Sequence, residues 1–258
     1  MDDASKQLVV PYVTTAASSS VFQNYLPSRT VDGDTSQDIV SCSHTGIDAT
    51  IREAWLRVDL GHVYSLNDVR FWYRNDRGST ALNTIRLRGY SIKISNSTNL
   101  SHAQTCYSDP GNQVLPTVLT NDCRGTSRFV WFYTTNVLYS GDTVPMLEIC
   151  EVQIFGCQTG FYGENCSLTC DHCMNPSSCD IDSGECDISG CAHAGLQPPT
   201  CTTCAPGMFG GNCTGICSVH CHPPASCGFK DGNCTCEQGW KGSKCDTPGK
   251  QIFLIYET

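Results

Sequence analysis

The chain is poor in three things, and each shortage removes a class of protein. No stretch approaches the roughly 20 consecutive apolar residues that a membrane helix needs, and the terminal Ile252–Tyr256 run is far too short, so no membrane span is expected in this chain. Basic charge is scarce: 16 Lys and Arg against 25 Asp and Glu give a formal net charge of −9, and no nucleic-acid partner is expected. Motifs of catalysis are missing too. There is no G-x-S-x-G, no H-E-x-x-H and no phosphate-cradling glycine loop. No segment of ten or more residues carries a clear helical period, so a catalytic strand-to-helix turn has nowhere to sit. The chain is not expected to be an enzyme.

What is abundant is cysteine. The count is 20 in 258 residues, a level reached by extracellular disulfide scaffolds or arrays of metal modules. Four lie in residues 1–156 (Cys42, Cys106, Cys123, Cys150) and sixteen in the remainder. The first part is long enough to bury one hydrophobic core, whereas the second has so few large apolar residues that only cross-links could hold it. Charge divides the same way, with 12 basic and 15 acidic residues up to residue 156 and 4 against 10 afterwards. A local cationic spot stands out: Arg70, Arg74, Arg77, Arg86 and Arg88 fall within nineteen residues, opposed only by Asp76.

The start, Met1-Asp2-Asp3, is acidic where a secretory leader is basic, and Pro11 interrupts the apolar Leu8–Val13 segment. Secreted-type cysteines without a leader imply a sequence that begins and ends inside a longer product. N-x-S/T sequons at Asn96, Asn99, Asn165, Asn212 and Asn233 agree with an extracellular address as glycosylation sites.

From Ser18 to Gly156, short runs of alternating or β-branched residues are broken by Gly, Pro, Asn and Asp, which reads as strands. The expected strands are Trp55–Leu60, Val69–Arg74, Gly89–Ser95, Phe129–Thr134 and Glu148–Phe155, enough for a β-sandwich. After Gly156 the cysteines repeat. Cys157 to Cys166, Cys204 to Cys213 and Cys236 to Cys245 each enclose eight residues, ending in GFYGENC, GMFGGNC and GWKGSKC, a spacing that marks internal repeats. Cys217, Cys221, Cys227, Cys234, Cys236 and Cys245 form one six-cysteine unit. Cys170, Cys173, Cys179, Cys186, Cys204 and Cys213 form another, with an insertion carrying Cys191 and Cys201. Spacing alone leaves many pairings open for six cysteines. Zinc is the rival reading, because Cys170-x2-Cys173 and Cys201-x2-Cys204 have ligand spacing near His172, His220 and His222. The repeated eight-residue gap has no meaning in a tetrahedral site, and the histidines read better as solvated loop residues.

The repeated text resembles EGF-like modules of the laminin type. That resemblance implies pairing of Cys170 with Cys179, Cys173 with Cys186, Cys204 with Cys213, Cys217 with Cys227, Cys221 with Cys234 and Cys236 with Cys245. Cys191 with Cys201 would close the insertion, and Cys157 with Cys166 would finish a partial first module.

In the first part, PSRTVDGDT, SCSHT, WLRVDLG, VRFWYRND, RLRGYSIKIS and EICEVQIFG stand in the order and style of a fucolectin, an F-type lectin of the discoidin or galactose-binding-like fold. The resemblance covers most of residues 5–157. It implies an all-β, jelly-roll β-sandwich, followed by small disulfide-rich EGF-like modules over 158–213 and 214–246 and a tail at 247–258. The whole resembles invertebrate multiple-EGF, scavenger-receptor-like proteins. Also implied are disulfides Cys42 to Cys150 and Cys106 to Cys123, and a structural Ca2+ ion. Its ligands would be the carboxylates of Asp32 and Glu151, with Arg29, Asp34, Ser41 and Cys150 giving mainly backbone oxygens. Calcium suits such a shell of hard oxygens. Read without the resemblance, Asp32-Gly33-Asp34 is a turn.

The family's sugar motif is a His, an Arg-x-Asp and a second basic residue four positions on. Here His44 precedes Arg74-Asn75-Asp76, and nine residues separate Asp76 from Arg86, the candidate second basic residue. The family's adjacent Cys-Cys pair, which stacks on the sugar, has no counterpart in Arg77-Gly78-Ser79-Thr80. His44, Arg74, Asp76 and Arg86 are therefore the carbohydrate candidates, since guanidinium and imidazole groups donate to hydroxyl and ring oxygens in fixed directions. The plainer expectation is that Arg74 and Arg86 are solvated strand-end residues, one paired with Asp76, whose removal barely changes folding. The function expected is extracellular recognition of glycans, fucosylated ones among them, in scavenging or innate immunity. The alternative is an adhesion ectodomain that has lost sugar binding and contacts cell-surface proteins.

Overall fold

The computed structural model of the chain describes residues 6–76, 80–223 and 226–249, with the backbone alone for 80–83. The chain divides into two compact units, 1–167 and 168–258.

The first unit is built on seven antiparallel strands: β1 (Lys6–Gln7), β2 (Thr15–Ser18), β3 (Ala54–Tyr73), β4 (Ser91–Ser95), β5 (Gln104–Ser108), β6 (Val118–Thr134) and β7 (Ile149–Gln158). They follow the order β1-β7-β3-β6-β4-β5, with β2 also on β3. β3 belongs to both layers of the sandwich. Over Ala54–Asp59 it pairs with β6, and β2 joins it from Leu56 to Asp59. Past a register shift between Asp59 and Tyr64, it pairs with the other half of β6 and with β7. Gly61, at a φ of +80° that only glycine adopts freely, sits in that shift beside exposed His62 and Val63. Alternation decides what goes inside: Leu56, Val58, Val69, Phe71 and Tyr73 of β3 meet Val130 and Phe132 of β6 and Val152 and Ile154 of β7 in one core. The rings of Phe71 and Phe132 meet edge to face with centroids 5.0 Å apart.

Two sequence expectations need correction here. Trp55–Leu60 and all but the last residue of Val69–Arg74 belong to one continuous strand, because the irregular register bends the pairing without ending it. The lengthened loop before Arg86 holds a helix, α1 (Thr80–Leu87). Thr84 and Leu87 of α1 are buried, a period too short to have stood out in the sequence. Of positions 77–80, where the family's Cys-Cys pair was sought, 77–79 lie outside the described residues. Gly89 follows the helix at φ +71°, and an added Cβ there would fall 2.1 Å from the amide nitrogen of Asn136.

The second unit has little regular structure. Two short hairpins, β8 (Met208–Phe209) with β9 (Gly215–Ile216) and β10 (Trp240–Lys241) with β11 (Thr247–Pro248), bracket the second half of each repeat. Ten disulfides join the chain in the pairs that the resemblance implies, eight of them using the cysteines after Gly156. The repeat extends to the backbone: Cys166, Cys213 and Cys245, which close the three eight-residue gaps, share φ values of 54°, 52° and 53°.

Candidate functional site

The site begins with a short antiparallel pairing that leads into β7. Ser43 N–H donates to the carbonyl of Ile149 at 2.8 Å and Thr45 N–H to that of Leu147 at 3.1 Å. Side chains alternate across such a pairing, so Cys42 and His44 share one face with Cys150 and Glu148. The first facing pair is the Cys42–Cys150 disulfide. The second is His44 with Glu148, Nε2 to Oε1 at 3.2 Å. The disulfide thus clamps the loop that aims the imidazole. His44 Nδ1 meets the carbonyl of Thr45, so both ring nitrogens face oxygen atoms and the ring is held from both sides.

Two arginines close on the same carboxylate. Arg74 follows β3 directly, and its N–H donates to the backbone carbonyl of Glu148 at 3.0 Å. Its Nη1 lies 2.6 Å from Glu148 Oε1, while Nε and Nη2 hold both oxygens of Asp76 at 2.9 Å. Arg86, in the last turn of α1, donates from Nη1 to Glu148 Oε2 at 3.2 Å and forks onto Asp142 at 2.7 and 2.9 Å. The hydroxyl of Tyr73 completes the shell at 3.3 Å. Glu148 is wholly buried. Burial alone would raise its pKa, but the His44 hydrogen bond and the charges of His44, Arg86 and Arg74 outweigh it and hold the carboxyl at about 2. The opposing carboxylates likewise lift both guanidinium groups above their usual range against the pull of burial.

In front of this cluster lies an open cavity of about 310 Å³, lined among others by Phe22, His44, Arg74, Arg86, Asp142 and Met146. Phe22 gives it an apolar wall, its ring centroid 5.0 Å from that of His44.

The metal candidates lie on the other side of the disulfide. Glu151 is 2 % exposed and receives the N–H of Gly33 at 3.3 Å. Burial first, then the nearby charges of Asp32 and Asp34, push its carboxyl up to about 8. Asp32 Oδ1 accepts from the N–H of Asp34, and Asp34 accepts from Ser36 N–H and from the Ser41 side chain. Arg29 Nη1 reaches the carbonyl of Cys42 at 3.4 Å. A buried carboxylate with no ion-pair partner among the described residues, closed over by an oxygen-rich loop, is chemically suited to a hard cation. Among the described residues the tight clusters of metal-ligand types are His172, Cys173, Cys186 and Cys221, Cys234, Cys245. All of their cysteines are in disulfides, so they offer no thiolate to zinc.

Comparison with known proteins agrees with this architecture. Residues 29–130 match the F5/8 type C family model described as "NedA-like, galactose-binding domain". The chain carries a galactose-binding-like domain of F5/8 type C, followed by a cysteine-rich EGF-like region. Similar solved structures are the serum fucolectin of Morone saxatilis (22% identity, 59% of this chain and 47% of that chain, TM-score 0.46) and a fucose binding module of Streptococcus pneumoniae (18%, 59% and 99%, TM-score 0.46). Among curated proteins, the EGF-like and EMI domain-containing protein 1 of Mus musculus is 33% identical over 34% of this chain and 24% of its own length. The angiopoietin-1 receptor of Danio rerio is 37% identical over 24% of this chain and 5% of its own length. The chain spans less than half the length of the curated relatives it matches.

In the F5/8 type C domain all four carbohydrate candidates come together, but not as solvated residues. Arg74 is only 8 % exposed and the Arg86 side chain 19 %, so the expectation of exposed arginines with little effect on folding is corrected. The cause is Glu148, which sequence reasoning missed along with Asp142, Tyr73 and Phe22. Its signal was an acidic residue inside the otherwise apolar Val144–Ile149 run, where an unpaired charge would be costly. The histidines of the EGF-like region also differ from expectation. His172 Nε2 meets the carbonyl of Gly184 at 3.0 Å, His220 stacks on Trp240 with centroids 3.5 Å apart, and only His222 of the three is exposed. The five sequon asparagines are all exposed.

Proposed function

We propose that this protein is an extracellular glycan-binding protein that takes a saccharide in the cavity between His44, Arg74 and Arg86. The observation that carries the reading is the convergence of those three donors behind one open cavity with an aromatic wall. A sugar presents hydroxyl and ring oxygens on one side and C–H groups on the other. Arg74 and Arg86, held rigid by their carboxylates, donate to the oxygens at little entropic cost, while Phe22 covers the C–H face. The galactose-binding description of the matched family supports the same ligand class, and ten disulfides fit an oxidising, extracellular setting.

On this reading calcium is a structural partner. Asp32 and Glu151 would hold it through carboxylates, with Arg29, Asp34, Ser41 and Cys150 supplying mainly backbone oxygens. The ion would supply the positive charge that Glu151 otherwise lacks. A glycan array probed with the full chain, with and without EDTA, tests both parts: defined saccharides should bind, and chelation should weaken them. A folded chain that binds no glycan would reject the reading and leave protein adhesion in its place.

A further inference from the structure

Every cation that lines the cavity is matched by a carboxylate. Arg74 is shared between Asp76 and Glu148, Arg86 between Asp142 and Glu148, and His44 faces Glu148 as well. Among the described residues of the cluster, two guanidinium groups thus stand against three carboxylates. Three bonds to Asp76 and Glu148 engage three of the five N–H groups of Arg74. The guanidiniums therefore act as oriented hydrogen-bond donors without an excess of positive charge.

We infer that Glu148, with Asp142, sets ligand choice by charge: the cavity accepts neutral saccharides and excludes those carrying a carboxylate or sulfate. This rests on the glycan-binding reading above and goes beyond it by naming the class of sugar. A hydroxyl both donates and accepts, so one sugar hydroxyl can take an Arg N–H and give its own proton to Asp142, which lines the cavity. A sulfate or uronate oxygen can only accept. It would bring negative charge beside Asp142, with the buried Glu148 behind. Two arginines in one pocket would by themselves favour an anionic ligand; Asp76 and Asp142 balance their charge, and the buried glutamate tips it to negative.

The test compares neutral galactose- and fucose-terminated glycans with the same glycans carrying sulfate or a uronic acid, bound to the full chain. Wild type should prefer the neutral form by at least about tenfold. In Glu148→Gln the preference should shrink toward parity, because Asp76 and Asp142 then only balance the two arginines and the excess negative charge is gone. Asp142→Asn, at the cavity rim, should shrink it too and serves if the buried substitution impairs folding, which near-ultraviolet circular dichroism reports. A wild type that binds sulfated and neutral forms equally, or variants with an unchanged ratio, would overturn the charge inference while leaving glycan binding standing. Binding of neither class by the folded protein would overturn the glycan reading and this inference with it.

Discussion

Replacing Glu148 with Gln keeps the length of the side chain and removes the one negative charge that His44, Arg74 and Arg86 share. The size of the effect follows from two independent estimates. Removing one partner of a buried ion pair costs about 3–5 kcal/mol, and because Asp76 and Asp142 still face the guanidiniums the lower end applies. The carboxyl falls from an ordinary 4.5 to about 2, a depression equivalent to about 3 kcal/mol. In a unit of this size that is a loss of about 6–12 °C in melting temperature. Trp55, Trp72 and Trp131 lie in the first unit and only Trp240 in the second, so tryptophan fluorescence follows the relevant transition. The pH dependence gives a second reading. Because the folded pKa is depressed, this stabilisation is full above the unfolded carboxyl value and is lost as pH falls from about 4.5 toward 2. Glu148→Gln should lose that part of the acid transition. A melting temperature within about 1 °C of wild type, with the acid slope intact, would refute the buried cluster as a stabilising unit.

Arg74→Ala should destabilise by about 2–4 kcal/mol, seen in the same melting curves, because it leaves Glu148 and Asp76 short of a partner. Arg128→Ala, which removes a half-exposed pair with Asp59, should cost no more than about 1 kcal/mol by the same melting curves. Glu151 works in the opposite pH window. Its folded pKa of about 8 lies above the unfolded value, so without calcium the first unit should lose stability as pH rises from about 4.5 through 8. Added calcium should stabilise most at the alkaline end, and a melting temperature that ignores both EDTA and pH there would remove the metal site. Alkylation of the unreduced protein should label none of the 20 cysteines, as checked by mass spectrometry. Gly89→Ala should cost about 1–2 kcal/mol by chemical denaturation, since the left-handed backbone and Asn136 leave no room for a methyl group.

The sequence made the sandwich legible where strands alternate strongly, as in Trp55–Leu60 and Phe129–Thr134. β2 and β5 were missed because they are short and polar, with Thr15–Ser18 and Gln104–Ser108 mostly half-buried or exposed. The first half of β6, Val118–Gly125, carries Asn, Asp, Arg and Gly and is fixed by its pairing with β3 rather than by its own composition. At the site, His44, Arg74, Asp76 and Arg86 could be named because the family motif survives in outline. Their burial could not, since it depends on Glu148 and Asp142, which lie more than fifty residues from either arginine in the chain. Arg86 also arrives by way of a helix that a nine-residue gap in the motif does not announce.

The Cys42–Cys150 bridge spans 108 residues of sequence. His44 meets its carboxylate only beside that bridge, and Arg74 waits on the same backbone segment for its partner. A ribosome must therefore finish almost the whole first unit before any part of the pocket exists. Nascent and truncated chains that stop short of residue 148 lack the carboxylate that His44, Arg74 and Arg86 share, and those that stop short of residue 150 also lack the cysteine that clamps the His44 loop. Such chains should hold neither arginine in a fixed direction, so the last tenth of the first unit decides whether the rest of it can present a shaped cavity.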